Sequence, residues 1–487
     1  MLKYTVKKYC SEGSKFNQII MVVLMVLPVF SYGTAVGWLS PMGPKLMSED
    51  TPAAKPVHPD VISWMASVPY LVGTPAVFLF GFIVDNFGRK KALMLTSLSM
   101  AVCWSLKIYS SETWALILAR AIVGFGVSGS YVVTPLYIKE VSEDSIRGTL
   151  GSLVVLSQNL GNLLVYIAGE YLCYNTTLWL CLSVPLLHLL IFVIMPETPS
   201  YLLKSGKVEE ARAALAWLRC RQQSDTAVDN ELQALLLEMQ QENSARFFEV
   251  LKILVSDRST FRAFRITLTI TLARELCGCL AVLHFASLIF SQASSSWVLT
   301  ANQQATMLGV VQLVGSFTAS SLVERIGRKP LLGATCLVSG AALCALSAWF
   351  WLRGAGAALP LVPVVALCLC IYCDAAGLQP VPFVIMTEMF SFQLRGTVTS
   401  IVIAFACALV SIELRVFQPL AASIGLHFVF GIFATVCLLS TVYIACCVPE
   451  TKMRTTEEIY AELGGKGKGK WTENKKQKDC EASVTKL

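Results

Sequence analysis

Long apolar stretches separated by short polar segments run along most of this 487-residue chain. A spanning helix needs about 20 mainly apolar residues to cross a hydrocarbon core roughly 30 Å thick. Twelve stretches meet this requirement, so the pattern predicts an all-α membrane protein of twelve transmembrane helices. We place them at residues 17–39, 61–83, 92–108, 113–136, 148–170, 177–195, 265–290, 302–323, 331–352, 361–386, 397–418 and 427–448.

Composition agrees with this pattern. Hydrophobic residues make up 55% of the chain and charged residues only 15%, whereas soluble domains carry roughly 25% charged residues. A soluble enzyme and a nucleic-acid-binding protein are therefore excluded, and the lipid bilayer is the expected surrounding. Most of the 17 cysteines lie in apolar runs and should behave as small hydrophobic residues. Because no zinc-type spacing occurs, we expect neither a metal nor a cofactor.

Loop charge predicts the orientation of the helices. Basic residues concentrate in the loops after helices 2, 4, 8 and 10, which places both termini in the cytoplasm. These residues are Arg89, Lys90, Lys91, Lys139, Arg147, Arg325, Arg328, Lys329 and Arg395. Asn175 begins a glycosylation sequon in the predicted extracellular loop after helix 5. Glycosylation of Asn175 and an unused sequon close to the bilayer are equally compatible with the sequence.

Five segments follow from these predictions. Residues 1–16 form a cytoplasmic N-terminus, and residues 17–196 form the first six-helix bundle. Residues 197–263 are polar with a helical pattern, which predicts cytoplasmic linker helices. Residues 264–448 form the second six-helix bundle. The lysine- and glycine-rich tail, 449–487, is expected to be partly disordered.

An internal repeat relates the two bundles. The strings at 85–90 and 324–329 match, as do those at 140–149 and 388–397 and those at 196–198 and 449–451. Three matched strings in the same order indicate two copies of one six-helix unit. Transporters use such repeats with the substrate bound between the halves.

The repeated strings place opposite charges where helices meet the cytoplasm. We predict that they form inter-helix ion pairs that keep each half rigid and lock the cytoplasmic face. A role in topology alone is the simpler alternative. The candidate gate residues are Asp85, Arg89, Glu140, Arg147, Glu197, Glu324, Arg328, Glu388, Arg395 and Glu450.

The motifs at 81–90, 135–140, 196–199 and 449–452 resemble the signature of the sugar porter family of the major facilitator superfamily. Within that family, residues 37–41 and 147–151 are most similar to insect facilitated trehalose transporters. This resemblance implies the twelve-helix major facilitator fold, a small-molecule sugar as partner, alternating access and a place in the plasma membrane. We expect a monomer and no catalytic residues.

The predicted sugar site departs from the pattern of the family. The family usually carries two glutamines in helix 7, and here Arg274 and Glu275 stand at those positions. The resemblance places other substrate contacts near Gln158 and Asn159 in helix 5, at Gln312 in helix 8 and at Phe383 in helix 10.

Two interpretations of the charged pair stay open. Arg274 and Glu275 lie beside the cavity of a sugar carrier, or they rebuild the site for a charged substrate. Neighbouring helix positions do not face each other, so we expect no mutual pairing. Asp374 is a possible partner for Arg274. Glu413 and Arg415 are expected at a solvated mouth.

Energy coupling is predicted from helix 1. The resemblance implies that proton-linked members of the family carry a sequence like Gly-Tyr-Asp-Thr in helix 1. This chain has Ser31-Tyr32-Gly33-Thr34 at that place and lacks the aspartate. Facilitated diffusion of trehalose or a hexose is therefore the leading hypothesis. A proton symporter that uses Glu275 and a transport-dead sugar sensor are the alternatives.

Overall fold

The computed structural model describes residues 13–241, 247–293, 299–352, 361–390 and 392–463. The predicted lysine-rich tail from residue 464 onward and residues 1–12 lie outside these ranges. Within them the chain forms two bundles of six long helices joined by shorter linker helices.

The first bundle contains α1 to α6. Helix α1 has three consecutive pieces, Phe16–Met25, Leu27–Gly37 and Leu39–Met47. The others are α2 (Pro59–Phe87), α3 (Arg89–Tyr109), α4 (Thr113–Val141), α5 (Asp144–Tyr171) and α6 (Tyr174–Phe192).

The second bundle contains α7 to α12. Helix α7 has two pieces, Arg258–Glu275 and Cys279–Ala293, and α10 has three, Val362–Cys373, Asp374–Leu378 and Pro380–Met389. The others are α8 (Ala301–Ile326), α9 (Arg328–Leu352), α11 (Phe392–Ile424) and α12 (Leu426–Cys447).

These helices confirm the predicted fold class. Eleven of them are long and apolar enough to cross a membrane by length and composition alone. The remaining helix, α8, is 26 residues long and packs along α5 of the other half. Most helices extend past the predicted ends, and α1 continues to Met47. Asn175 lies exposed in the first turn of α6 rather than in a loop, and its glycosylation stays a prediction.

Four linker helices join the bundles: Pro199–Lys204, Val208–Leu218, Thr226–Gln241 and Phe247–Ser256. They bury a small apolar core of their own around Leu202, Leu215 and Leu232. A short final helix, Thr456–Glu462, follows α12. We call the end of the molecule that carries these helices the linker end, and the other the opposite end.

Hydrogen bonds between the two halves lie at the middle and the opposite end. Ser63 donates to Gln418 at 2.7 Å, and Asp60 pairs with Arg415 at 2.8 Å, which joins α2 to α11. Thr300 donates to Glu170 at 2.9 Å beside α8 and α5. These contacts hold the halves together at the opposite end.

Breaks in α7 and α10 shape the centre of the second half. Helix α7 stops after Glu275, where Gly278 has a φ of +80° and a Cβ would lie 2.3 Å from Phe433. Only glycine suits both conditions. Helix α10 widens into a π turn from Asp374 to Leu378 before Pro380. Such irregular turns are frequent at functional sites.

Candidate functional site

A cavity of about 50 Å³ lies between the two halves near the middle of the bundle. It has room for a few water molecules, so a sugar can enter only after the halves move apart. Helices α1, α2, α4 and α5 line one side, and α7, α10 and α11 line the other. We call it the central cavity.

The first half contributes aromatic rings and an amide. Tyr131 donates to Oε1 of Gln158 at 3.2 Å, and its ring packs edge-on against Tyr32. The hydroxyl oxygens of Tyr32 and Tyr70 lie 3.4 Å apart. All four residues line the central cavity. Their rings and polar tips can contact a sugar ring and its hydroxyl groups. Sequence reasoning selected Gln158 but not the tyrosines as binding residues.

The second half contributes a charged group that we call the triad, formed by Arg274, Glu275 and Asp374. Arg274 Nε donates to Asp374 at 3.2 Å, and Arg274 Nη1 donates to Glu275 at 2.8 Å. Arg274 and Glu275 line the central cavity together with Phe383 and Gln379. Asp374 is fully buried behind them.

The triad corrects one expectation from the sequence. Arg274 and Glu275 do pair, although adjacent positions in a continuous helix do not face each other. They meet because α7 ends at Glu275, so its side chain is not held on a regular helical surface. The suggested pairing of Arg274 with Asp374 is present as well.

Two of the predicted substrate residues lie at the α5–α8 interface. Asn162 donates to Oε1 of Gln312 at 2.9 Å. Asn159 donates to the hydroxyl of Ser316 at 2.5 Å. Neither Asn159 nor Gln312 is among the residues that line the central cavity. In this conformation both residues connect the halves.

The expectation of a solvated mouth is wrong for Glu413. Only 8% of this residue is exposed, and neither carboxylate oxygen has a hydrogen-bond partner among the described residues. Arg415, two positions further along, does reach the opposite end and pairs with Asp60.

Sequence reasoning missed a second buried cation. Arg120 on α4 is 1% exposed and donates to the backbone carbonyls of Met65 on α2 and Ala35 on α1. A guanidinium within an apolar helix is costly unless its donors are satisfied. These contacts tie three helices of the first half together. The sequence feature that could have revealed this site is the single arginine within the fourth apolar stretch, residues 113–136.

Gate residues in the first half form a cluster at the linker end. Arg89 pairs with Glu140 at 2.8 Å, which joins α3 to α4. Glu197 accepts the backbone N–H of Lys90 at 3.0 Å and so caps the N-terminus of α3. Burial raises the pKa of the Glu197 carboxyl above its ordinary value, and the backbone donors of Lys90 and Thr198 oppose that rise.

The second half repeats this cluster. Arg328 pairs with Glu388 at 2.9 Å, which joins α9 to α10, and also with Glu324 at 3.3 Å. Glu450 accepts the backbone N–H of Arg328 at 3.1 Å. We call Arg89, Glu140 and Glu197, and their counterparts Arg328, Glu388 and Glu450, the two clamps. Each clamp lies within one half.

Arg147 and Arg395 occupy matching positions next to the clamps. Arg147 donates to the carbonyl of Ser142 at 3.1 Å, and Arg395 donates to the carbonyl of Phe390 at 3.3 Å. Each cation thus lies against the C-terminal end of the preceding helix, where the helix dipole favours positive charge. Asp85 pairs only loosely, at 3.5 Å, with exposed Lys204.

Three buried cysteines from different helices come together in the second half. The sulfur atoms of Cys277, Cys336 and Cys437 lie within 4.8 Å of one another. Thiolates would suit a soft cation, but Cys277 and Cys336 donate to backbone carbonyls at 3.1 Å as neutral thiols do. The prediction of no metal stays a prediction.

Residues 51–463 match the family described as "Sugar (and other) transporter". The match begins after α1 and covers the other eleven long helices and the linker helices between the bundles. The chain belongs to this family. Transporters built from two repeated halves hold their substrate between the halves, which is where the central cavity lies.

Curated relatives point the same way. The chain is 28% identical over 408 residues to a facilitated trehalose transporter, Tret1, of Culex quinquefasciatus, covering 83% of this chain and 78% of the relative. It is 27% identical over 463 residues to a Tret1-2 homolog of Drosophila simulans, covering 94% and 93%.

A solved structure supports the fold of this family member. The inward-open xylose transporter XylE from E. coli superposes with a TM-score of 0.72 at 18% identity, over 91% of this chain and 99% of that protein. A second structure of XylE, described as a major facilitator superfamily proton:xylose symporter, superposes with a TM-score of 0.71 at 20% identity. The transporter thus has the major facilitator fold.

Replacing Arg89 of this transporter by glutamine should destabilise the first half. The change leaves Glu140 partly buried without its cation, which costs about 3 kcal/mol when one partner of a buried pair is removed. We expect a clear drop in the melting temperature of the purified protein. Asp85→Asn is the control, since its exposed pair contributes about 0–1 kcal/mol. Equal melting temperatures for the two variants would contradict the clamp.

Proposed function

We propose that this chain is a facilitative uniporter of a neutral sugar, trehalose or a hexose, in the plasma membrane. Both termini and the linker end lie in the cytoplasm. The basic residues at the linker end support this orientation, because Lys and Arg concentrate on the cytoplasmic side of membrane proteins. The family match and the trehalose-transporting relatives support the substrate class.

The central cavity is the observation that carries the proposal. Its first-half wall offers three tyrosines and Gln158, and its second-half wall offers Gln379 and Phe383. Gln379 Oε1 is buried and has no hydrogen-bond partner in the part of the chain that the structure describes, so a substrate hydroxyl can satisfy it. Rings for the face of a sugar and amides for its hydroxyl groups are thus present on both sides.

Passive transport is favoured by the packing of α1. Gly33 stands at the position where proton-linked members of the family are expected to carry an aspartate. It lies so close to α5 that a Cβ would be 2.0 Å from the carbonyl oxygen of Gln158. The backbone leaves no space for an acidic side chain at that position. Glu275, the alternative proton carrier, is held by Arg274.

Alternating access requires halves that move as units. The two clamps lie within the halves, so they can keep each half rigid while the halves rotate. The hydrogen bonds between α2 and α11 and between α5 and α8 are the contacts that opening must break. The partly exposed pairs among them, Asp60 with Arg415 and Thr300 with Glu170, exchange for water at modest cost, which suits a reversible closure.

Uptake by proteoliposomes tests this function. We expect the purified chain to carry labelled trehalose or a hexose at equal pH on both sides. It should exclude a sugar acid because the triad, with two carboxylates and one cation, carries excess negative charge. Uptake of the sugar acid alone would contradict the proposal. Sugar binding without uptake would support the sensor, whose signal should then depend on the tail from about residue 450 onward.

Gln158→Ala should raise the KM for the sugar about two- to tenfold. The change removes an amide that lines the central cavity and accepts from Tyr131, and one hydrogen bond to an uncharged group is worth about 0.5–1.5 kcal/mol. Gln222→Ala is the control because Gln222 is exposed between linker helices. A KM that is equal in the two variants would remove Gln158 from the site.

A further inference from the structure

Ionisable side chains beside the central cavity are unbalanced in charge. Arg274 is shared by two carboxylates, Glu275 and Asp374. Glu413 adds a third acid on α11, one turn from Val410, which lines the same cavity as Arg274 and Glu275. Three acids therefore face one cation, and Glu413 is the one that makes no hydrogen bond among the described residues.

Glu413 lies between the central cavity and a stack of aromatic rings. Val410, one turn towards the linker end, lines the cavity. Phe417, one turn towards the opposite end, stacks on Phe285 with ring centroids 5.2 Å apart and lies 6.3 Å from Phe433. The stacked rings join α7, α11 and α12 one turn beyond Glu413, and only 8% of Glu413 is exposed.

An ionised carboxylate without donors in such a place is strongly unfavourable. Ionisable groups on the helices packed against α11 include Arg274, Glu275 and His284 on α7 and Tyr70 and Asp60 on α2. Asp60 pairs with Arg415, two positions from Glu413. Arg274 already pairs with Glu275 and Asp374. His284 bonds the carbonyl of Leu280 and packs edge-on against Tyr70. A proton on Glu413 itself removes the one carboxylate charge that has no hydrogen-bond donor among the described residues, and it reduces the excess from two negative charges to one, without moving any of these groups.

We propose that Glu413 is the proton-binding residue of the transporter, protonated while the opposite end is closed and ionised when it opens. Phe285 sits on the second piece of α7, which bonds the first half through Tyr166 at Leu283 and through Ser40 at Ser287. Parting the halves at the opposite end breaks these contacts and lets water reach Glu413. The proton then returns to the solution from which it came, so no net proton movement accompanies the sugar.

The inference rests on the proposed uniport and makes it dependent on pH. Low pH favours the conformation that is closed at the opposite end, and high pH favours the open one. One ionising carboxyl can change the conformational equilibrium by up to about tenfold per pH unit. The sugar uptake rate should therefore vary with pH even when the pH is equal on both sides.

Two measurements test the assignment on the full-length protein. In proteoliposomes at equal internal and external pH, the wild type should show a pH-dependent rate of sugar uptake, and Glu413→Gln should carry sugar at a rate that no longer follows pH. Glu413→Asp and Glu275→Gln should keep the pH dependence. A Glu413→Gln variant that retains the wild-type profile, or a wild type with none, overturns the proposal.

Infrared spectroscopy gives a readout that needs no transport. At neutral pH the wild-type protein should show the carbonyl band of a protonated carboxyl group in the closed conformation, and Glu413→Gln should lack it. Absence of this band in the wild type overturns the proton site. Absence of sugar uptake with the band present would overturn the proposed transport function and leave the proton site standing.

Discussion

Replacing Arg274 by glutamine is expected to abolish transport. This is so even though sugar porters usually carry glutamine at the matching position. The variant leaves Glu275 and Asp374 facing each other beside the central cavity with no cation between them. Removing one partner of a buried ion pair costs about 3–5 kcal/mol. Sugar uptake per folded molecule and the melting temperature should both fall sharply.

Glu275→Gln provides the matched comparison because it leaves Arg274 and Asp374 paired one to one. We expect a smaller loss of uptake and of melting temperature than in Arg274→Gln. The variant that neutralises all three positions, Arg274→Gln with Glu275→Gln and Asp374→Asn, should recover part of the lost stability. Equal losses in the two single variants would show that Arg274 does not compensate the two acids.

Gly33→Ala is expected to separate α1 from α5 and to destabilise the first half by about 2–3 kcal/mol. A Cβ at this position would lie 2.0 Å from the carbonyl oxygen of Gln158, a backbone atom that cannot turn away. Because Gln158 lines the central cavity, the displacement should also lower the affinity for sugar. Thermal unfolding and sugar uptake of the purified variant measure the two effects.

Gly151→Ala is the control for Gly33→Ala. Gly151 is also a helical glycine, on α5, and nothing lies within 4 Å of an added Cβ. Alanine there should leave the melting temperature unchanged or raise it slightly, since glycine costs a helix about 1 kcal/mol relative to alanine. A Gly33→Ala protein as stable as this control would refute the close packing of α1 on α5.

The sequence predicted the fold because the hydrophobic pattern of a membrane protein is long and nearly continuous. Each apolar stretch of about 20 residues corresponds to one helix, and the repeated strings identified the two halves. Helix ends were less well predicted. Helix α1 continues to Met47 through a segment that contains Pro44 and Lys45. The apolar pattern ends before this segment, so it did not predict the end of the helix.

Candidate site residues were predicted less completely, for physical reasons. Gln158 and Phe383 line the central cavity, and their binding of substrate stays a prediction. The pairing of Arg274 with Glu275 depends on the break after α7's first piece, which periodicity does not reveal. Glu413 was placed at a mouth because charge near a helix end usually meets water, whereas it is buried here, one turn from the stacked rings of Phe285 and Phe417.

The central claim is that one cavity, reached alternately from the two sides, carries sugar without a driving ion. Counterflow in proteoliposomes tests it most directly. Vesicles loaded with unlabelled sugar at equal pH on both sides should transiently accumulate labelled sugar from outside, and an imposed proton gradient should not sustain that accumulation. Absence of counterflow, or sustained accumulation driven by the gradient, would contradict the account.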